Sequence, residues 1–351
     1  MNRLWHDLEL IRSATQELWE EMRGRRVFIT GGTGFFGCWL VESFCHVNRE
    51  LGLGAQATVL SRDPAKFRAK CPHLAGDPAI ALHAGDVRDF EFPAGEFRYV
   101  IHAATESGSK QGSEEPLEML STILKGTERT LEFAARCGAR KFLLTSSGAV
   151  YGKQPVEMTH VPETYTGAPD PLDPASVYAE GKRASELMCA LHAKTTANGS
   201  AFEAKIARCW AFCGPHLPLD AHFAIGNFIG DVLAGRPIAI GGDGTPRRSY
   251  LYAADLAVWL WTILFRAPAL VPINVGSAHD VSIRELAEAV ATTLAPGTEI
   301  RVAKQAVPGA APARYVPSVA RAEELLGLRE TVGLEEQIRR TAAWYGARNS
   351  A

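Results

Sequence analysis

Arg26-Val27-Phe28-Ile29-Thr30-Gly31-Gly32-Thr33-Gly34-Phe35-Phe36-Gly37 is the stretch that decides the fold. Its first five residues form a short apolar run with a β-branched residue on either side of Phe28, which reads as a strand. From Cys38 to Leu51 apolar residues return at Leu40, Val41, Phe44 and Val47, a helical period. Between the two, glycines at 31, 34 and 37 allow a sharp turn, close approach of backbone to a pyrophosphate, and tight packing of helix on strand. The N-terminus of the helix then offers N–H donors to phosphates. Strand, glycine turn and helix in this order predict a dinucleotide site at Gly31, Thr33, Gly34, Phe35, Phe36 and Gly37. The spacing is Gly-x-x-Gly-x-x-Gly rather than Gly-x-Gly-x-x-Gly.

Outward from this unit, further apolar runs at Ala57–Leu60, Ile80–His83, Tyr99–His102, Lys141–Thr145 and Ala204–Ala207 alternate with amphipathic stretches at Leu117–Cys137 and Val177–Lys194. That alternation predicts an α/β fold, a Rossmann-type doubly wound parallel sheet, over residues 25–213. Gly152 to Pro174 reads as a loop. Residues 214–351 are less regular and richer in Pro and Gly. They predict a smaller C-terminal substrate-binding lobe over the carboxyl ends of the strands, with some chain crossing back. Residues 1–24, with Trp5, Leu8, Ile11, Leu18 and Trp19, read as a helical extension packed on the core or on a neighbouring subunit. The helix that carries Trp259 and Trp261 reads as core.

The catalytic candidates stand behind the fifth run. Tyr178 and Lys182 are four residues apart, so on a helix they share one face. A free phenol has a pKa of about 10, and a neighbouring cation favours the phenolate. Lys182 is expected to supply that charge, and the hydroxyl of Ser147 to hold the substrate oxygen whose proton Tyr178 takes or gives. With a dinucleotide exchanging hydride, the chemistry is oxidation or reduction of a carbinol.

Composition narrows the class. The 37 basic and 39 acidic residues nearly balance, so no charge excess points to nucleic acid or a membrane surface as partner. No apolar run reaches bilayer length, and the acidic first residues lack the apolar core of a signal peptide, which makes the cytoplasm the expected compartment. The seven cysteines show no Cys-x-x-Cys pair and no His-rich spacing, so neither a metal site nor a disulfide framework is expected.

These motifs, together with Gly85-Asp86-Val87, Ile101-His102-Ala103-Ala104, Gly214-Pro215, Gly242-Asp243-Gly244, Arg248-Ser249-Tyr250 and Asn274-Val275-Gly276, give a chain that resembles the extended short-chain dehydrogenase/reductase superfamily. The resemblance is to its nucleotide-sugar epimerases, dehydratases and reductases. It implies a nucleotide-sugar substrate, a homodimer, and a catalytic set of Ser147, Tyr178 and Lys182, of which the last two also hold the cofactor. Asp86 then faces the adenine amino group, with Val87, Ala103 and Ala104 along the cofactor, while Arg248 grips the substrate pyrophosphate and Asn227 sits over the nucleotide. His102 resembles a backbone contact to the cofactor and reads as a buried, satisfied histidine. Ala211 departs from the family, whose members often carry a substrate-contacting Asn there.

Two further positions bear on chemistry. The second strand ends in Ser61-Arg62 rather than an acidic residue, which favours NADP over NAD. Asp63 follows one position late and could fold back to the ribose or cap the next helix at Pro64. After Ser147 come Gly148 and Ala149, where family dehydratases carry an acidic pair and decarboxylases a Glu. Elimination of water needs a general acid and a base besides the hydride chemistry. The resemblance therefore implies an epimerase, 4-epimerisation first, with an NADPH-dependent ketoreductase of a 4-keto-sugar as the alternative. A 4,6-dehydratase, a decarboxylase and a non-enzymatic dinucleotide sensor rank below these.

Overall fold

The six expected strands form; Arg26–Thr30 and Tyr99–His102 end where their apolar runs end, and the other four extend one or two residues further at one or both ends. The computed structural model describes residues 3–104, 115–195, 202–221 and 223–349. Within it β1 (Arg26–Thr30), β2 (Gln56–Ser61), β3 (Ile80–Ala84), β4 (Tyr99–His102), β5 (Lys141–Ser147) and β6 (Glu203–Cys209) lie in one sheet. A seventh strand, Pro272–Val275, returns from the later part of the chain and pairs with β6. The order is Pro272–Val275, β6, β5, β4, β1, β2, β3, all parallel. Parallel strands buried on both faces need near-continuous apolar runs, which explains Val27-Phe28-Ile29 in β1, Tyr99-Val100-Ile101 in β4 and Phe142-Leu143-Leu144 in β5.

The chain winds from β1 through β2 to β3 on one side, then crosses to β4 on the other. The carboxyl ends of β1 and β4, where Thr30 pairs with His102, therefore flank the switch point. The helix after β1 spans Phe35–Glu50 and begins directly at Gly34, three residues earlier than its apolar period suggests. Phe35, Phe36 and Gly37 are thus its first turn, and the phosphate-facing N–H groups belong to them.

Helices Pro116–Arg136 and Val177–Thr195 cover one face of the sheet, and Phe35–Glu50 and Ala253–Arg266 the other. In Ala253–Arg266 every residue to Phe265 is buried, including Trp259 and Trp261. The N-terminal extension is a helix, Trp5–Thr15, followed by a 3-10 turn, Gln16–Met22. It packs on that core: Trp19 and Trp261 have ring centroids 4.6 Å apart, and the Tyr252 hydroxyl donates to Asp7 at 2.8 Å. A fully buried Trp costs about 3–5 kcal/mol when cut to Ala, which makes the extension part of the fold.

Beyond Gly214 small sheets take over. One joins Asp280–Ser282, Arg247–Ser249 and Arg314–Tyr315, and another joins Ile238–Ile240 to Ile300–Val302. They enclose a separate apolar cluster that includes Leu217, Ile225, Phe228, Leu286, Val290 and Ile338. Among the described residues no helix is long and apolar enough to cross a membrane.

Candidate active site

A cavity of about 470 Å³ opens at the carboxyl ends of the strands, and the glycine turn forms one end of it. Gly31 takes φ +70°, and a Cβ there would fall 2.4 Å from the Ala103 carbonyl. At Gly37 a Cβ would fall 2.2 Å from the Gly31 oxygen. Gly32, outside the expected triad, would meet Val59 at 2.5 Å. Contacts this short exclude any side chain, so the first helical turn is drawn onto β1 and the cleft above it stays open along Thr33, Gly34, Phe35 and Phe36. The cradle fits a dinucleotide pyrophosphate, and Val87, Ala103 and Ala104 continue its wall.

At the end of β2 the alternatives for Asp63 separate: its carboxylate accepts the Lys66 N–H at 2.9 Å and caps helix Pro64–Lys70. Ser61 and Arg62 line the cleft instead. Asp86 also lines it, but both its oxygens are taken by the Arg88 guanidinium at 2.8 and 2.9 Å, and the Arg88 backbone N–H adds a bond of 2.9 Å. These bonds hold the Asp86 carboxyl below its usual range. His102, on β4, is buried; its Nδ1 lies 2.8 Å from the Thr30 hydroxyl and its Nε2 3.2 Å from that of Thr127. Burial pushes its pKa down to about 3, so it is a neutral structural group.

The three residues expected to be catalytic meet at the opposite end. Ser147 closes β5, and its Oγ accepts the Ala149 N–H at 3.1 Å, which turns the chain into the 3-10 segment Gly148–Tyr151. Tyr178 and Lys182 lie one turn apart on helix Val177–Thr195. The Lys182 ammonium donates to the Thr145 carbonyl at 2.8 Å and lies 6.0 Å from the centre of the Tyr178 ring. The expectation that Lys182 lowers the phenol's pKa is not met: burial pushes Tyr178 up to about 12, opposed only by the neighbouring Ser147 side chain, and brings Lys182 down to about 8. Loss of water around each group disfavours its charged form and sets both shifts.

Two expected substrate residues stand apart. Neither Asn227, half-buried on helix Ala224–Leu233, nor Arg248 is among the described residues that line the cavity. Arg248 donates to the Arg247 carbonyl at 2.8 Å and reaches the site through the Tyr315 ring, whose centre lies 5.7 Å from its guanidinium carbon.

Tyr315 was not legible in any motif. It stands beside Ser147 and packs on Trp210 with ring centroids 4.4 Å apart. A Cβ on Gly148 would fall 2.6 Å from the Trp210 ring and 2.8 Å from the Tyr315 hydroxyl. Where an acidic side chain would follow Ser147, two aromatic rings stand. Trp210 and Phe212 flank Ala211 at the end of β6 and line the cavity with it. An aromatic pair just past a strand's carboxyl end is the one signal that could have found them. Glu106, which follows β4 in sequence, lies outside the described residues.

A doubly wound sheet with a glycine cradle at its switch point and a Ser–Tyr–Lys trio across the cleft defines an enzyme of the extended short-chain dehydrogenase type. Residues 27–276 match the NAD dependent epimerase/dehydratase family, and the chain belongs to it. It is 30% identical over 315 residues to UDP-glucuronic acid decarboxylase 1 of Arabidopsis thaliana, covering 90% of this chain and 68% of that protein. The fold is shared with dTDP-glucose 4,6-dehydratase from Streptomyces venezuelae, solved with NAD bound, at TM-score 0.78 and 24% identity over 93% of this chain and 98% of that one. A UDP-N-acetylglucosamine 4-epimerase from Methanobrevibacter ruminantium also gives TM-score 0.78, at 20% identity over 93% of this chain and all (100%) of that one.

Proposed function

We propose that this enzyme converts a nucleotide-activated sugar through a keto intermediate, as a 4-epimerase, with Ser147, Tyr178 and Lys182 as its catalytic residues. One observation carries the choice within the family: among the described residues that line the cavity the single carboxylate is Asp86, at the dinucleotide end and engaged by Arg88. Dehydration and decarboxylation draw on a carboxylic acid or carboxylate beside the reacting carbon, and here Gly148, Ala149, Trp210 and Tyr315 occupy that place. The relatives named as UDP-glucuronic acid decarboxylases support a nucleotide sugar as substrate without carrying their reaction over.

The nicotinamide, when bound, supplies the hydride acceptor and donor. Gly31, Thr33, Gly34, Phe35, Phe36 and Gly37 would hold its pyrophosphate, Lys182 its ribose, and Arg62 an extra phosphate, so NADP is favoured. Ser147 holds the substrate oxygen, and Tyr178 takes its proton and later returns it. The carboxylate-free floor shields the ketone from elimination. The small sheets between Ile238 and Tyr315 form the substrate-side lobe. A ketoreductase reading draws on Arg62, because a reductase turns over free NADPH.

Purified protein examined by native mass spectrometry, then incubated with UDP-glucose, UDP-N-acetylglucosamine, UDP-glucuronate and dTDP-glucose, tests this. The expected result is retained dinucleotide and a 4-epimer with no net change in nicotinamide absorbance. Stoichiometric NADPH loss with a 4-keto-sugar moves the assignment to the reductase. A 4-keto-6-deoxy product or a pentose overturns both.

A further inference from the structure

Behind the glycine turn, away from the catalytic trio, three segments distant in sequence converge. Cys38 follows Gly37 on helix Phe35–Glu50, Cys71 ends helix Pro64–Lys70, and His216 follows Gly214-Pro215. All three are buried, and one ligand-capable atom of each lies within 4.8 Å of the others. A tetrahedral zinc ion, with Zn–S of about 2.3 Å and Zn–N of about 2.0 Å, sets its ligand atoms about 3.4–3.8 Å apart. Small side-chain rotations close that difference.

The surroundings fit the same purpose. Glu42, one turn beyond Cys38 and 2% exposed, places a carboxylate oxygen 3.7 Å from His216 Nε2, while His73 Nε2 holds that oxygen at 2.7 Å. A carboxylate behind a ligating imidazole fixes its tautomer and strengthens it as a ligand. His216 is one of two non-glycine residues with positive φ among those described, at +71°. Backbone of this kind costs on the order of 1–3 kcal/mol and gathers at functional sites. It is held by the Trp39 indole N–H, which donates to the Pro215 carbonyl at 2.8 Å.

We propose that Cys38, Cys71 and His216 bind a zinc-class divalent cation, with Glu42 orienting the histidine. Thiolate and imidazole donors select zinc or its neighbours over magnesium and calcium. A Cys38–Cys71 disulfide is the competing reading, and it leaves His216 and Glu42 without a part. Because His216 also lines the main cavity, the ion would tie the helix that faces the cofactor phosphates to the segment closing the cleft. No Cys-x-x-Cys spacing marks the site, which is why the sequence gives no warning of it.

The test uses the full chain, purified without chelator. Elemental analysis should find about one zinc per chain. After chelation, cobalt(II) should restore an intense thiolate-to-metal charge-transfer band with tetrahedral d–d bands. Cys38→Ser and Cys71→Ser should abolish the band, and Cys45→Ser, a buried cysteine outside the cluster, should leave it. Glu42→Gln should weaken zinc binding about 10–100-fold. If the serine variants fail to fold, alkylation of the wild-type chain decides: zinc must protect Cys38 and Cys71. Absence of metal and of the cobalt band, protection of other cysteines, or a Cys38–Cys71 disulfide in the purified protein overturns the proposal.

Discussion

At Gly31 and Gly37 the dinucleotide end of the cleft is backbone packed on backbone, whereas beside Ser147 the other end is side chain packed on side chain. The first end tolerates no added atom: a Cβ would fall 2.2 to 2.4 Å from main-chain atoms that cannot rotate away. The second is crowded by Trp210 and Tyr315, which arrive from β6 and from strand Arg314–Tyr315. On the proposed reading, rigid backbone contact sets where the cofactor lies, and the choice of aromatic or acidic side chains sets which reaction follows. One cradle can therefore serve several reactions.

The largest expected effect lies at the Ser147 end alone. Tyr178→Phe keeps the ring and removes the phenol oxygen that faces Ser147, so turnover should fall about 10²–10⁴-fold, the range for losing a general acid–base group. Retained dinucleotide, read by native mass spectrometry, should be unchanged. A variant that keeps its turnover removes Tyr178 from the mechanism; one that loses its dinucleotide shows that the two ends are not separable.

The same contrast explains what could be read in advance. Gly31, Gly34 and Gly37 and the strand ahead of them leave a local trace because one short stretch both makes the turn and excludes side chains. The doubly wound parallel sheet was legible in the alternation of apolar runs and helical stretches, and the nearness of Ser147 to Tyr178 and Lys182 in the spacing of a strand end and the next helix, whereas the strand order was not. Tyr315 left no trace, because its place beside Ser147 depends on a small sheet whose pairing no periodicity reveals. The direction of the Tyr178 shift was misread for a related reason: spacing reports that Lys182 is near, but the shift is set by burial, which depends on the whole fold.

Acid should sharpen the comparison from the dinucleotide side. His102 sits beneath the glycine turn, with its pKa lowered from 6.5 to about 3 by burial. Between those values the unfolded chain binds a proton that the folded one refuses. Stability from this group is therefore fully present above 6.5 and is lost as pH falls toward 3, by up to about 1.4 kcal/mol per pH unit. Urea unfolding at pH 6.5, 5.5 and 4.5 should show that slope, flattened in His102→Gln. An identical slope in the variant assigns the acid sensitivity elsewhere.

A smaller effect tests whether the floor has room for acid chemistry. Gly148→Asp must displace the Trp210 ring or the Tyr315 hydroxyl, and overpacking of this kind costs about 1–3 kcal/mol. The variant should melt at a lower temperature and still give no 4-keto-6-deoxy sugar. Appearance of that product would mean that the missing carboxylate, not the aromatic packing, is what separates this enzyme from a dehydratase.

The smallest effect lies at the exposed end of β2, where neighbouring residues are expected to do unlike things. Asp63 accepts the Lys66 N–H at 2.9 Å, so its carboxylate belongs to a helix cap and not to a ribose. Asp63→Ala should cost about 1 kcal/mol of stability and leave the ratio of NADP to NAD affinity unchanged. Arg62 lines the cleft one residue earlier and is exposed, so its contact with a phosphate is screened by water. Arg62→Ala should lower the NADP/NAD ratio by about fivefold with no change in melting temperature, an exposed ion contact being worth little more than that. Fluorescence titration of both variants with both dinucleotides separates the roles. If the ratio moves with Asp63 and not with Arg62, the cap is secondary, the carboxylate reads the ribose, and the preference is for NAD.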